Sequence, residues 1–313
     1  MSSLYEKRPL DANGNLLGMV LQGTHGSADL VAIYNMVTLK YSSVYGQQGP
    51  VTEGSLKSII NEMLDQCIRR VQDISAAQAM QVKHVLYNIR TDFSLQPLLS
   101  DNMDFVTNPS YLLCRILGLT VLHAWVLDPQ VSGYDSLNRF SHEELLKKHT
   151  CDLQLQGQND QVIYEGLLDD YKNQLTSYGF KSLPAELTDD AIALLFCRNR
   201  LNIIHKHCGV VYIYVTDEDV CKQMPGAVWM LFEECHERNI YFTEKYIPVK
   251  GQPCEKEARQ WYMRFLLQTQ MKDESQMEDE TRMKNKNAAR NKIKKEKRKL
   301  RQSSQQGLHG NAI

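Results

Sequence analysis

The sequence has no apolar run near the roughly 20 residues that a membrane-spanning helix needs, and its polar first stretch, Met1 to Asn13, has no hydrophobic signal core. Neither a transmembrane segment nor a secretory leader is expected, and the expected address is cytoplasmic or nuclear. No CxxC pair is present, and the eight cysteines (67, 114, 151, 197, 208, 221, 235 and 254) are scattered through apolar patterns. That spacing argues against a zinc ribbon or a disulfide framework and for reduced thiols. No internal repeat is evident, and no cofactor is expected.

Net charge is nearly absent too, at −1, but this conceals an asymmetry. Between Arg282 and Arg301 lie eleven Lys and Arg against the single acid Glu296, a charge of +10, which leaves 25 basic and 36 acidic residues elsewhere. An acidic body therefore carries a basic tail. With 313 residues, 42% of them hydrophobic, the chain can build a proper core. The expected organisation is an N-terminal extension (1–16), one domain (17–271) and a charged tail (272–313), helical or disordered. So charged a segment buries too little surface to offset its ordering entropy.

Within the body, Leu17 to Gln22 is short and apolar. Ser55 is a candidate N-cap for a helix with Leu56, Ile59, Ile60, Met63, Leu64, Cys67 and Ile68 at helical spacing. A second helix is predicted over Ala76 to Leu86, and an apolar stretch runs from Tyr111 to Val126. An amphipathic helix is predicted over Ile163 to Tyr178, ended by Gly179. Ala191 to Phe196 and Val210 to Val215 read as two strands joined in a hairpin by a turn at His205 to Gly209. Glu255 to Gln270 is helical in pattern.

The most informative stretch is Gln22-Gly23-Thr24-His25-Gly26-Ser27-Ala28-Asp29-Leu30-Val31-Ala32-Ile33. A Gly-bearing polar turn runs into an apolar helical pattern, the way cysteine hydrolases seat a thiol at a helix N-terminus, where dipole and free N–H groups favour thiolate and oxyanion. Here the seat holds Ala28.

This loop resembles that of the MINDY family of cysteine deubiquitinases, Q-N-E-N-G-P-C-P-L-L-A-I-x-N. Three further segments match in order: Leu122 to Gln130 (LHAWVLDPQ, similar to Y-H-G-W-L-V-D-P-Q); Gln174 to Phe180 (QLTSYGF, similar to Q-L-T-x-H-G-L); and Leu195 to Leu201 (LFCRNRL, similar to F-F-R-N-N-H-F), followed by Lys206-His207, Tyr212 to Asp217 and Val228-Trp229. The chain is identified as a member of this family over roughly residues 18 to 250. The resemblance implies an α/β (α+β) fold of MINDY type, akin to papain-like cysteine proteases.

By resemblance, the family's nucleophilic cysteine falls on Ala28, and a methyl group cannot attack an isopeptide carbonyl. Its general-base histidine falls on Arg200, whose guanidinium stays protonated and cannot accept a thiol proton. The oxyanion glutamine falls on Gln22 and is retained. The reading is a catalytically dead deubiquitinase-like protein that binds ubiquitin, by resemblance as lysine-48-linked chains, without cutting them. Its alternatives are an active lysine-48-specific cysteine deubiquitinase with a displaced nucleophile, or a scaffold or nucleic-acid-associated protein acting through its basic tail. Ser27 and His25 adjoin the empty seat, but a shift of one residue turns a helical side chain by about 100°.

Trp125 and Phe196 match family residues flanking the ubiquitin-contacting cleft, with core packing the competing reading; Trp229 reads as core. Cys197 and Cys208 read as ordinary buried thiols. His205 and His207 have the spacing to share a strand face, with Cys208 opposite, and without a further pair no zinc site is assigned. The run Lys292 to Arg301 reads as a nuclear-localisation signal, a contact to nucleic acid or an anionic surface, or a solvated tail; no aromatics interleave it for base stacking.

Overall fold

The computed structural model describes residues 4–12, 15–41, 51–71, 73–131, 133–141, 143–145, 147, 174–234 and 239–267. The chain divides into two compact units, residues 1–255 and 256–313. In the second, the described residues 256–267 are helical, with the rings of Trp261 and Phe265 stacked at 5.3 Å. The tail expected over 272–313, with its basic run, lies outside the described residues, as do Cys151, Cys235 and most of the helix predicted from Ile163.

The first unit is built round a six-stranded sheet and the helix that starts at the empty seat. In chain order the elements used below are β1 (Leu4–Tyr5), β2 (Lys7–Ala12), β3 (Asn15–Val20), α1 (Ala28–Lys40), β4 (Val51–Thr52), α2 (Glu53–Ile68), α3 (Ala76–Tyr87), α4 (Ile89–Asp92), α5 (Pro109–Ile116), β5 (Val121–His123), α6 (Tyr134–Leu137), α7 (Ser177–Ser182), β6 (Ile192–Cys197), β7 (Arg200–His207), β8 (Val210–Tyr214), α8 (Glu218–Gln223), β9 (Trp229–Leu231) and β10 (Tyr241–Phe242). The sheet order is β10-β9-β8-β7-β6-β5; every neighbouring pair is antiparallel except β5 with β6. The mixed helices and strands match the α/β expectation. Within the segment read as an extension, β1 pairs with β4, β2 pairs with β3, and Tyr5 is buried.

Helix α1 is apolar nearly all round, and Leu30 to Thr38 are nine consecutive buried residues. A helix of that kind is a core element rather than a surface one. Its one amide, Asn35, is fully buried and bonds both backbone groups of Val20, at 2.8 and 2.9 Å. That clamp fixes the end of β3 two residues before Gln22.

Three local expectations are corrected. Ala191–Phe196 and Val210–Val215 are not a hairpin pair: β7 lies between them, so there are two hairpins, turning at Arg198-Asn199 and at Cys208-Gly209. The polar residues Asn202, His205, Lys206 and His207 disguised β7 as loop, although they sit among buried Leu201, Ile203 and Ile204. The N-cap of α2 is Thr52, whose hydroxyl accepts from the Ser55 N–H at 3.2 Å. Gly179 lies inside α7 rather than ending a helix, because a Cβ there would stand 2.2 Å from the Ala124 carbonyl oxygen. The glycine serves close approach.

Candidate functional site

The site is assembled from the start of α1 and the first hairpin of the sheet. Gln22 is pinned on both sides of its backbone: its N–H donates to Thr216 at 2.7 Å and its carbonyl accepts from Glu218 at 3.1 Å. From there the chain turns, with the Gly26 N–H donating to the Gly23 carbonyl at 2.9 Å. A Cβ on Gly26 would stand 2.7 Å from the Tyr5 ring, so the turn packs flat on the buried tyrosine. Ser27 then caps α1, accepting from the Leu30 N–H at 3.3 Å. Its hydroxyl is thereby committed to the backbone.

Ala28 is the first helical residue, so its N–H has no acceptor within the helix, and the dipole makes this end favourable for an oxyanion. Next to it, the Asp29 carboxylate reaches across to β7 and accepts from the Leu201 N–H at 2.8 Å. That bond fixes the helix start against the strand that begins at Arg200. Burial raises the Asp29 pKa, opposed by this hydrogen bond and by the nearby Arg200 charge.

On the facing side, Cys197 pairs with Arg200 across a two-residue turn in which both Arg198 (φ 56°) and Asn199 (φ 55°) are left-handed. This geometry splays least from the natural strand twist, but it strains residues other than glycine. Gln174, itself at φ 50° and buried, clamps the turn: its amide donates to the Asn199 side chain at 2.5 Å and its carbonyl accepts from the Asn199 N–H at 2.8 Å. Strain held by such a clamp is typical of sites that must keep one shape.

Gln22, Ala28 and Arg200 all line one cleft of about 210 Å³, with Cys197, Arg198, Asn202, Asp217, Met230 and Phe232 among the other walls. Arg198 and Arg200 are exposed, and among the described residues neither has a carboxylate within ion-pair distance. The three positions taken from scattered segments of the sequence are thus brought together. Ser27 and His25 do not line the cleft.

Cys197 does line it, which sequence reasoning read only as an ordinary thiol; the signal was its place one residue before a polar strand break. Burial pushes its pKa up to about 11, despite the opposing Arg198 and Arg200 charges. At pH 7 such a thiol is roughly one part in ten thousand thiolate. It is no substitute nucleophile.

Trp125 and Phe196 are corrected. Trp125 is closed off completely in a cluster with Leu99, Leu127, Leu137 and Leu145, and Phe196 is only 4% exposed on β6. Side chains so enclosed are core and have no surface to offer a partner. Trp229 is core, as expected. Among the described residues no set of three or more His, Cys, Asp or Glu is placed to hold a metal, and no helix is long and apolar enough to cross a membrane.

The family model for the MINDY deubiquitinase matches residues 3–246, most of the chain. The chain belongs to the MINDY deubiquitinase family. Among its relatives are ubiquitin carboxyl-terminal hydrolase MINDY-1 of mouse, 24% identical over 232 residues, and of human, 23% over the same length; each alignment covers 69% of this chain and 48% of the relative. Bovine MINDY-2 is 23% identical over 213 residues, 64% of this chain and 33% of the relative. The chain thus spans about half the length, or less, of these curated relatives. The MINDY match begins at residue 3, so it takes in strands β1 and β2.

Proposed function

We propose that this MINDY family member holds ubiquitin, preferentially as lysine-48-linked chains, without hydrolysing them. The observation that carries the reading is the content of the cleft: Ala28 stands at the helix start where a nucleophile would act, and Arg200 stands on the facing strand where a base would act. A methyl group supplies no electron pair and a guanidinium accepts no proton near neutrality. Covalent catalysis needs a nucleophile, so Ala28 by itself removes the acyl-enzyme route at this seat, and a missing base slows any thiol that takes its place.

What remains favours binding. The cleft has a volume of about 210 Å³, the Gln22 backbone is pinned on both sides while its side-chain amide donates to the Gly26 carbonyl at 3.5 Å, and the hairpin wall is clamped by Gln174. Two guanidinium groups at the rim add fixed positive charge in place of a titrating imidazole. The competing reading, hydrolysis through a displaced nucleophile, finds its best candidate in Cys197, which burial keeps protonated.

The test is incubation of the full chain with lysine-48-linked tetraubiquitin and with a thiol-reactive ubiquitin probe. Chains retained on the protein, uncut and without covalent adduct, are the expected result. Cleavage or an adduct at any cysteine lining the cleft would overturn the reading, and failure to retain chains of any linkage would remove the binding half of it.

A further inference from the structure

The far end of β7 holds a cluster that the cleft does not use. His207 ends the strand and Cys208 follows it in the second hairpin turn, exposed and at φ 50°. The Cys208 Sγ lies 3.6 Å from His207 Nε2, and His207 Nδ1 lies 3.3 Å from a carboxylate oxygen of Asp190. The imidazole is therefore held between an acid on one edge and a thiol on the other. Its plane is fixed as well, by the Tyr246 ring stacked on it at 4.0 Å with 10° between planes.

The surroundings keep this order in place. Asp190, at φ 62°, is tied by its N–H to the Lys206 carbonyl at 2.7 Å, and Asp189 accepts from the Gly209 N–H at 2.8 Å, so both acids brace the turn. The Lys206 ammonium donates away from the cluster to the carbonyls of Pro184 and Leu187, at 2.8 and 2.7 Å, with Asp189 at 3.9 Å. His205 faces the same Asp190 at 3.9 Å and bonds the Tyr246 hydroxyl. Among the described residues, the groups facing the thiol and its imidazole include His205, Asp189, Asp190, Lys206 and Tyr246.

We infer that Asp190, His207 and Cys208 form an activated surface thiol, a modification site whose reaction partner is a small, solvent-borne disulfide. A thiol beside an imidazole whose far nitrogen is held by a carboxylate is the arrangement that converts thiol to thiolate near neutrality. His207 Nε2 takes the Sγ proton and the Cys208 sulfur attacks one sulfur of the small disulfide. That S–S bond breaks, a mixed disulfide forms on Cys208, and the departing thiolate takes the proton back from His207. The Cys208 sulfur is oxidised and the released sulfur reduced, so no other oxidant is needed. No cleft is required, because Cys208 is an exposed residue.

The experiment uses the full chain with oxidised glutathione from pH 5 to 9, with rates at each cysteine read by peptide mass mapping and folding checked by circular dichroism. Cys208 is expected to react faster than Cys254 at pH 7. His207→Gln should slow Cys208 about tenfold there, the effect of roughly one unit in thiol pKa, and leave Cys254 unchanged. Asp190→Asn should act in the same direction to a smaller extent, and Cys208→Ser should abolish the adduct at this peptide. A Cys208 rate that titrates like an ordinary thiol, near pH 8.5, overturns the inference in the unmutated chain alone. So does a rate unmoved by His207→Gln in a folded variant.

Discussion

The two ends of β7 make an instructive pair. At Arg200 the protein has a shaped cleft and a helix N-terminus, with Ala28 and Arg200 facing it; at His207 it has thiol, imidazole and carboxylate in contact on an exposed turn. Eight residues of extended strand separate these ends by roughly 25 Å, so neither can complete the other. Hydrolysis needs reactive groups and a substrate seat in one place. The difference teaches that side-chain chemistry and concavity are separable within one strand.

The comparison is broken most strongly by refilling the empty seat. Ala28→Cys should make the protein form an adduct with a thiol-reactive ubiquitin probe. Adding Arg200→His should raise the rate about 10²- to 10⁴-fold, the usual worth of a positioned general base, with cleavage of lysine-48-linked tetraubiquitin as the second readout. A folded double variant that stays inert would mean that the cleft has lost more than its two reactive groups.

Next in size is a pH effect. His123 is fully buried; its Nε2 meets the Asp104 carbonyl at 3.0 Å and its Nδ1 accepts from the Trp125 N–H at 3.3 Å. Burial lowers its pKa to about 4, so the imidazole is neutral when folded but takes up a proton below pH 6.5 when unfolded. Its contribution is complete above the unfolded value and is lost as pH falls towards 4, amounting to about 3 kcal/mol over that window. Denaturant titrations from pH 7 to 4 should show the loss, and His123→Gln should flatten it.

Asn35→Ala sharpens the separation of the two ends. It strands two buried backbone groups of Val20 and should cost about 2–3 kcal/mol, measured by urea melts. It should weaken ubiquitin retention by loosening the approach to Gln22 while leaving the Cys208 labelling rate unchanged. The smallest effect expected is that of Ser27→Ala, about 1 kcal/mol from loss of the α1 cap. A larger loss would assign that hydroxyl more than capping.

Much of this was legible in the sequence. Helix α3 begins at Ala76 as its spacing predicts, and Gln22, Ala28 and Arg200, named from separate segments, share one cleft. What escaped did so for physical reasons. Strand β7 was hidden because its polar residues find partners only in three dimensions, Lys206 on the carbonyls of Pro184 and Leu187 and His205 on Tyr246. Thr52 outcompeted Ser55 as a cap because one residue's hydroxyl satisfies the other's N–H. Trp125 and Phe196 looked like contact residues because an aromatic in a matched segment carries no sign of which way it faces. The acid at Asp29 and the clamp at Gln174 were invisible because their partners lie 172 and 25 residues away.

The bond from Asp29 to the Leu201 N–H joins the two walls of the cleft through atoms that belong to neither position 28 nor position 200. Changing the side chains at 28 and 200 therefore releases no fastening. Shape and chemistry answer to separate atoms here, so single substitutions at those two positions can alter the second while the opening stays the same.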